Sequence, residues 1–90
     1  MQVEFDGGKD EPNRRKHGLS LAATAEMDFL LAQIIPDDWR DYGEARLWAV
    51  APIGGRLHVL TFTMRGEAVR AISLRKANAR ERRRYEQRSP

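Results

Sequence analysis

The sequence predicts an α+β fold: two N-terminal helices, a four-stranded antiparallel meander sheet and a C-terminal helix. Three observations predict it. Gly54-Gly55 stands between two apolar runs, a strong two-residue hairpin signal. Arg56 to Met64 is rich in β-branched and aromatic residues (Val59, Thr61, Phe62, Thr63), as strands are. Capping residues flank this apolar middle on both sides, Ser20 before it and Asn78 after it. Helices packed on one meandering sheet satisfy that order.

Each element has a local reason. Val3 to Asp6 reads as a short edge strand that Gly7-Gly8 interrupts. Asp10-Glu11-Pro12 reads as a helix start, with Asp10 or Glu11 near the cap and Pro12 at the first helical position. Lys16 and His17 fall in the last turn of this short helix, and Gly18 supplies the left-handed residue that closes it. Ser20 caps a second helix from Leu21 to about Phe29, with Leu21, Ala25 and Asp28 or Phe29 along one side. The apolar run Leu30 to Ile35, ended by Pro36, is the first strand of the meander. After a polar loop from Pro36 to Gly43, Glu44 to Ile53 is the second strand and Arg56 to Met64 the third. Arg65-Gly66 turns the chain into a fourth strand, Glu67 to Leu74. Asn78-Ala79-Arg80-Glu81 has capping-box spacing and opens the last helix, which runs to about Gln87.

Ninety residues fit one domain with one modest core, and the chain shows no internal repeat. Hydrophobic content of 41% and charged content of 32% suit a globular domain. The absence of Cys excludes a disulfide framework and cysteine-ligated metal, and makes the reducing cytoplasm the expected compartment. No apolar run approaches the roughly 20 residues of a membrane helix, and the N-terminus does not read as a signal peptide. The net charge of +3 is unevenly placed: residues 75–90 carry seven basic and two acidic residues, +5, and the other residues carry nine basic and eleven acidic, −2. A basic end on an acidic or neutral body points to a polyanionic partner; the bland alternative is a solvated helix face.

Phe5-Asp6, Lys9, Asn13 and Lys16-His17-Gly18-Leu19-Ser20 resemble the opening of BrnT-like toxins. Gly43-Glu44 with Arg46, and Gly55-Arg56-Leu57, continue the likeness. Its most specific part is the closing stretch: Thr63, Arg65-Gly66, Arg70-Ala71-Ile72-Ser73, Arg75-Lys76-Ala77, Glu81-Arg82 and Tyr85. The resemblance implies a RelE-like ribonuclease fold, the toxin half of a two-component toxin–antitoxin pair that blocks translation by cleaving RNA, and an antitoxin partner with a ribbon-helix-helix DNA-binding part. DNA is then reached only through the antitoxin, and a homodimer is compatible with the pattern. Three departures stand out. Phe5 replaces the usual Trp, Leu74 replaces a small residue, and Gly7, Gly8 and Pro12 predict a shortened or displaced first helix.

Cleaving RNA without a metal needs a group to activate the 2′-hydroxyl, a cation to stabilise the charged phosphate and an acid for the leaving 5′-oxygen. His17 is the candidate base outside the sheet, since an imidazole titrates near neutrality. Arg46 and Arg75 are the candidate phosphate binders, because the planar guanidinium pairs with phosphate oxygens. Tyr85, like Tyr42, is a candidate proton carrier. Lys16, Arg65, Arg70, Lys76, Arg80, Arg84 and Arg88 are the candidate RNA-binding residues; Arg80, Arg84 and Arg88 share one side of the last helix. That strip fits an RNA backbone or an acidic stretch of the antitoxin, while the face near Ala79 and Tyr85 rests on the sheet. There is no HExxH, no paired-carboxylate metal site and no phosphate loop, so no cofactor or metal is expected.

Structural alternatives accompany these readings. His17 could satisfy carbonyls at a helix end, and Arg46, Arg65 and Arg70 could be solvated edge residues. His58, alternating with Leu60 and Phe62, reads as partly buried and structural, and Ser73 as locally hydrogen-bonded. Trp48 reads as core, and Trp39 as free to stack on bases. Asp37, Asp38 and Asp41 read as a solvated loop away from RNA. The competing function is a catalytically inert homologue that acts as an antitoxin-binding or nucleic-acid-binding module.

Overall fold

A computed structural model describes residues 2–38 and 41–88. In chain order its elements are β1 (Val3–Phe5), α1 (Gly7–His17), 3-10 helices over Leu21–Glu26 and Phe29–Leu31, β2 (Gln33–Pro36), β3 (Leu47–Ile53), β4 (Arg56–Arg65), β5 (Ala68–Lys76) and α2 (Ala79–Arg88). The strand order is β1-β5-β4-β3-β2. The antiparallel meander from β2 to β5 is as expected, and Gly54 and Gly55, at φ 57° and 81°, make its central hairpin turn. The sheet is nevertheless five-stranded and mixed, not four-stranded and antiparallel, because β1 pairs in parallel with β5, Glu4 opposite Arg70. A three-residue strand has too little pattern to declare a partner; only the returning chain supplies one.

The N-terminal half departs most from expectation. α1 starts at Gly7, not near Pro12, because Asp6 is its cap: the Asp6 carboxylate accepts the Gly8 N–H at 2.8 Å. Gly8 makes room for this, since a Cβ there would meet Asp6 Oδ1 at 3.3 Å. Pro12 lies inside the helix, where its missing N–H gives up a ladder bond. Asp10, which with Glu11 reads as lying near the cap of this helix, instead serves the next segment. Its Oδ1 accepts from Ser20 Oγ at 2.9 Å and from the Leu21 N–H at 2.7 Å. Gly18 closes α1 in the left-handed conformation as expected.

The second helix is a 3-10 helix that stops at Glu26. Its buried residues are Leu21, Thr24 and, one step on, Met27. That is the three-residue period of a 3-10 helix, not the spacing of an α-helix. Leu30 and Leu31 do not belong to β2; a turn capped by Asp28 carries them, and both are exposed, Leu30 at 97%. β3 begins at Leu47, not Glu44, and β5 extends beyond Leu74 to Lys76. Trp39 lies outside the described residues.

Strand alternation divides the sheet into two faces. Ala49, Leu60 and Leu74 share the main face, where Leu21, Met27, Phe62, Val69 and Ala71 complete the larger core. Val50 and Val59 lie on the other face with Ala77, and Ile35, Trp48, Leu57 and Tyr85 pack there. α2 covers part of this second face. Its inward side is Glu81 and Tyr85, not Ala79, which is exposed; the buried alanine is Ala77, just before the helix. Tyr85 Oη donates to Leu31 O at 2.6 Å, and Gln33 Nε2 donates to Tyr85 O at 2.9 Å.

α1 is polar on all sides, so apolar burial does not hold it. Asn13 does. Its side chain donates to Leu74 O at 2.9 Å and to Leu19 O at 2.9 Å, and it accepts the Leu74 N–H at 3.0 Å. The carboxamide thereby continues the hydrogen bonding of β5 past the end of β1. Replacing Asn13 by Ala strands a buried backbone donor and acceptor, each costing about 1–3 kcal/mol. We expect Asn13→Ala to lose about 2–4 kcal/mol of unfolding free energy in urea titrations; a loss within experimental error would contradict this role.

Candidate active site

The seating of α1 leaves a groove of about 270 Å³ between that helix and β5, lined by Lys9, Pro12, Asn13, Lys16, His17, Ile72 and Ser73. Lys9, Asn13, Lys16 and His17 stand at i, i+4, i+7 and i+8, one face of the helix. On the strand side, the register skips Ile72: Thr61 pairs with Ser73 and Phe62 with Ala71. Such a bulge re-aims side chains and is common beside active sites. Ser73 Oγ donates to Thr61 Oγ1 at 3.4 Å on the second face, a local bond as expected.

His17 is half-buried at this groove. Burial first, and then the charges of Lys16 and Arg75, push its pKa below the ordinary 6.5. That direction favours the neutral imidazole, the form that accepts a proton. Lys16 and His17 line the groove together; Arg75, on β5, is not among its lining residues but adds a charge that disfavours the His17 proton.

Arg75 itself is tightly held. Its Nη1 and Nη2 donate to Glu81 Oε1 and Oε2, both at 2.7 Å, and Nη1 makes a longer contact of 3.4 Å with Lys76 O. Glu81 also completes the capping box with Asn78: its Oε1 accepts the Asn78 N–H at 2.9 Å, and its own N–H donates to Asn78 Oδ1 at 2.8 Å. The Arg75 hydrogen bonds, ahead of the Asn78 N–H and the Arg84 charge, hold the Glu81 carboxyl below its usual range. The same pair raises Arg75.

Other expected residues lie elsewhere. Arg46 precedes β3 at the opposite end of the sheet, 4.0 Å above the Tyr42 ring and 3.8 Å from Glu44. Register puts Val50 beside Val59 and Val59 beside Arg75, so Arg46 and Arg75 are separated by roughly 16 Å of sheet. Arg65 reaches Glu44 at 3.9 Å from the hairpin tip, and Arg70 pairs with Glu4 at 3.2 Å across the parallel strands. Lys76 is exposed, and alternation turns it to the face opposite Arg75. Tyr85 spends its hydroxyl on Leu31 at the β2 edge of the sheet. Arg80, Arg84 and Arg88 are all exposed on α2, with Arg84 at the rim of a narrow slot beside Trp48 and Tyr85. His58 is buried, with Nδ1 2.7 Å from Arg56 O, a structural role as read. Asp37 is buried, contrary to its reading as solvated, and its N–H donates to Arg46 O at 2.9 Å; Asp38 and Asp41 are exposed. No group of acidic or histidine residues suited to a metal occurs among the described residues.

Sequence reasoning did not single out Lys9, Glu81, Thr61 and Ile72 for this site. The helical spacing of Lys9 to His17 was visible, but the bulge that exposes Ile72 was not.

A titration tests the electrostatics. We expect the His17 imidazole to titrate below 6.5 in NMR spectra, and Arg75→Ala to raise its pKa by removing one repelling charge. It should still lie below 6.5, because burial is the larger cause. No change in the variant would separate the two groups.

A comparison with curated proteins found no match. A protein-family model described as the ribonuclease toxin BrnT of type II toxin–antitoxin systems matches residues 5–81. That span runs from the end of β1 to Glu81 and contains the whole groove together with the Arg75–Glu81 pair. No helix among the described residues is long and apolar enough to cross a membrane. With most of its 90 residues covered by the match, the chain belongs to the BrnT family of ribonuclease toxins of type II toxin–antitoxin systems.

Proposed function

We propose that this protein is a cytoplasmic, metal-independent endoribonuclease of RelE-like fold that inhibits translation, and that a ribbon-helix-helix antitoxin neutralises it. The observation that carries this reading is an imidazole in a cation-lined groove, His17 beside Lys9 and Lys16, with the Arg75 charge acting on it from β5. His17 takes the proton of the ribose 2′-hydroxyl, whose oxygen attacks phosphorus. The bond from phosphorus to the 5′-oxygen breaks, and the Lys16 ammonium gives that oxygen its proton. The products are a 2′,3′-cyclic phosphate and a 5′-hydroxyl. Arg75 stabilises the charge that grows on the non-bridging oxygens. Arg46 and Arg70, each beside a carboxylate, flank the second face as backbone contacts rather than reacting groups.

One observation favours the competing reading, an inert module that holds an antitoxin: the Arg75 fork already grips Glu81. Growth separates the two. Expression of the free protein should arrest bacterial growth, and co-expressed cognate antitoxin should relieve the arrest. Arg75→Ala should lose about 100-fold or more in RNA cleavage, with an intact thermal melt and no growth arrest. Normal growth at a verified level of folded wild-type protein would leave the inert module.

A second measurement concerns the exposed cations of α2. We expect replacement of Arg80, Arg84 and Arg88 by Gln to preserve the helix, since Gln is a good helix former. RNA affinity should fall and its salt dependence flatten, because fewer counterions are released. Unchanged RNA and antitoxin binding at two salt concentrations would make these charges bystanders.

A further inference from the structure

The Arg75–Glu81 pair admits a second interpretation that rests on the ribonuclease reading above. A guanidinium has five N–H donors in a fixed plane. The contacts to Glu81 and Lys76 use the two Nη1 protons and one of Nη2. The remaining fork, the Nε–H with the second Nη2–H, has the geometry that matches two phosphate oxygens. Glu81 therefore grips one edge of the plane and leaves the other for substrate. Glu81 itself is fixed from both sides, by the capping box with Asn78 and by the seating of α2 through Tyr85 and Gln33.

We propose that Glu81 is a positioning residue for Arg75, aiming the free edge of the guanidinium at the RNA phosphate and making cleavage depend on the seating of α2. Arg is a long side chain with many rotamers, so an unheld Arg75 sweeps a volume much larger than one phosphate oxygen. A displacement of about 1 Å at a reacting group costs as much as 100-fold in rate.

The test separates positioning from capping. Glu81→Gln keeps an acceptor at the third helical position, which a capping box accepts, but removes the charge that holds Arg75. Cleavage of a single-stranded RNA oligonucleotide is measured for wild type, Glu81→Gln, Glu81→Asp, Arg75→Ala and the Arg75→Ala/Glu81→Gln double variant, with a thermal melt of each. Glu81→Gln should lower kcat about tenfold or more while its melt stays near wild type. Glu81→Asp, which keeps the charge, should recover part of the loss. In the Arg75→Ala background Glu81→Gln should add nothing, because it acts through Arg75. Full activity of Glu81→Gln, or an equal loss in both backgrounds, overturns the proposal. A second readout needs no activity: NMR relaxation of the Arg75 Nε–H should report an ordered side chain in wild type and a mobile one in Glu81→Gln. If wild type cleaves no RNA, the ribonuclease reading fails and this readout alone decides whether Glu81 fixes Arg75; order unchanged in Glu81→Gln overturns it.

Discussion

The structure depends on one carboxamide. β5 is the strand on which the site is built, yet β1 covers its edge only from Val69 to Ala71. Beyond that, the backbone of Leu74 would be left with an unpaired donor and acceptor inside the protein. Asn13 satisfies both and also binds Leu19 O, just after the turn that ends α1. A side chain acts here as one more residue of strand. Because it must reach across to β5, α1 lies beside the sheet with its polar face inward. That face carries Lys9, Lys16 and His17 to the groove. The bond that closes the sheet edge is therefore the bond that assembles the site.

The two faces of the sheet are covered unequally. The main face is sealed by Leu21, Met27 and their neighbours. On the second face α2 packs over Val50 and Val59 and stops short of Thr61 and Ser73, which pair across the strands. What α2 does reach is Arg75, through Glu81. Its hold on the sheet is polar at both ends, Glu81 to Arg75 near its start and Tyr85 to Leu31 further along. No residue of α2 is fully buried, and its polar contacts supplement the packing of Tyr85 against Val50 and Val59. The position of Arg75 is thus tied to that of α2 through Glu81.

The meander was legible because its signals are local. Gly54-Gly55 and the β-branched run after it depend on nothing distant, and the capping box at Asn78 formed as spelled. The N-terminal half was misread where a residue serves a distant partner. Asp10 has the chemistry of a helix cap and is one, but for Leu21 rather than for its own helix. Pro12 marks a helix start by convention, yet Asp6 overrides it. The 3-10 helix was visible in principle, since Leu21, Thr24 and Met27 recur every three residues. Pairing of β1 with β5 was not visible, because three residues carry no register. In the site, residue types offered His17, Arg46, Arg75 and Tyr85 as candidates alike and could not say which of them lie near one another. Those distances are set by strand register, and the bulge at Ile72 exists only once β4 and β5 have paired.

The electrostatics of the groove explain why its cations and its base belong together. Burial first, and then Lys16 and Arg75, disfavour a proton on His17; on the proposed reading the same two cations attract the phosphodiester. A phosphate arriving in the groove brings a negative charge that offsets those cations. On that reading their repulsion of the proton weakens when the phosphate is in place. The Arg75–Glu81 pair fixes the arginine without using all of its donors. On the proposed reading, a free arginine at that position would meet phosphate from more directions. The ion pair trades some charge for direction, and direction is what an attack on phosphorus in line with the leaving oxygen requires.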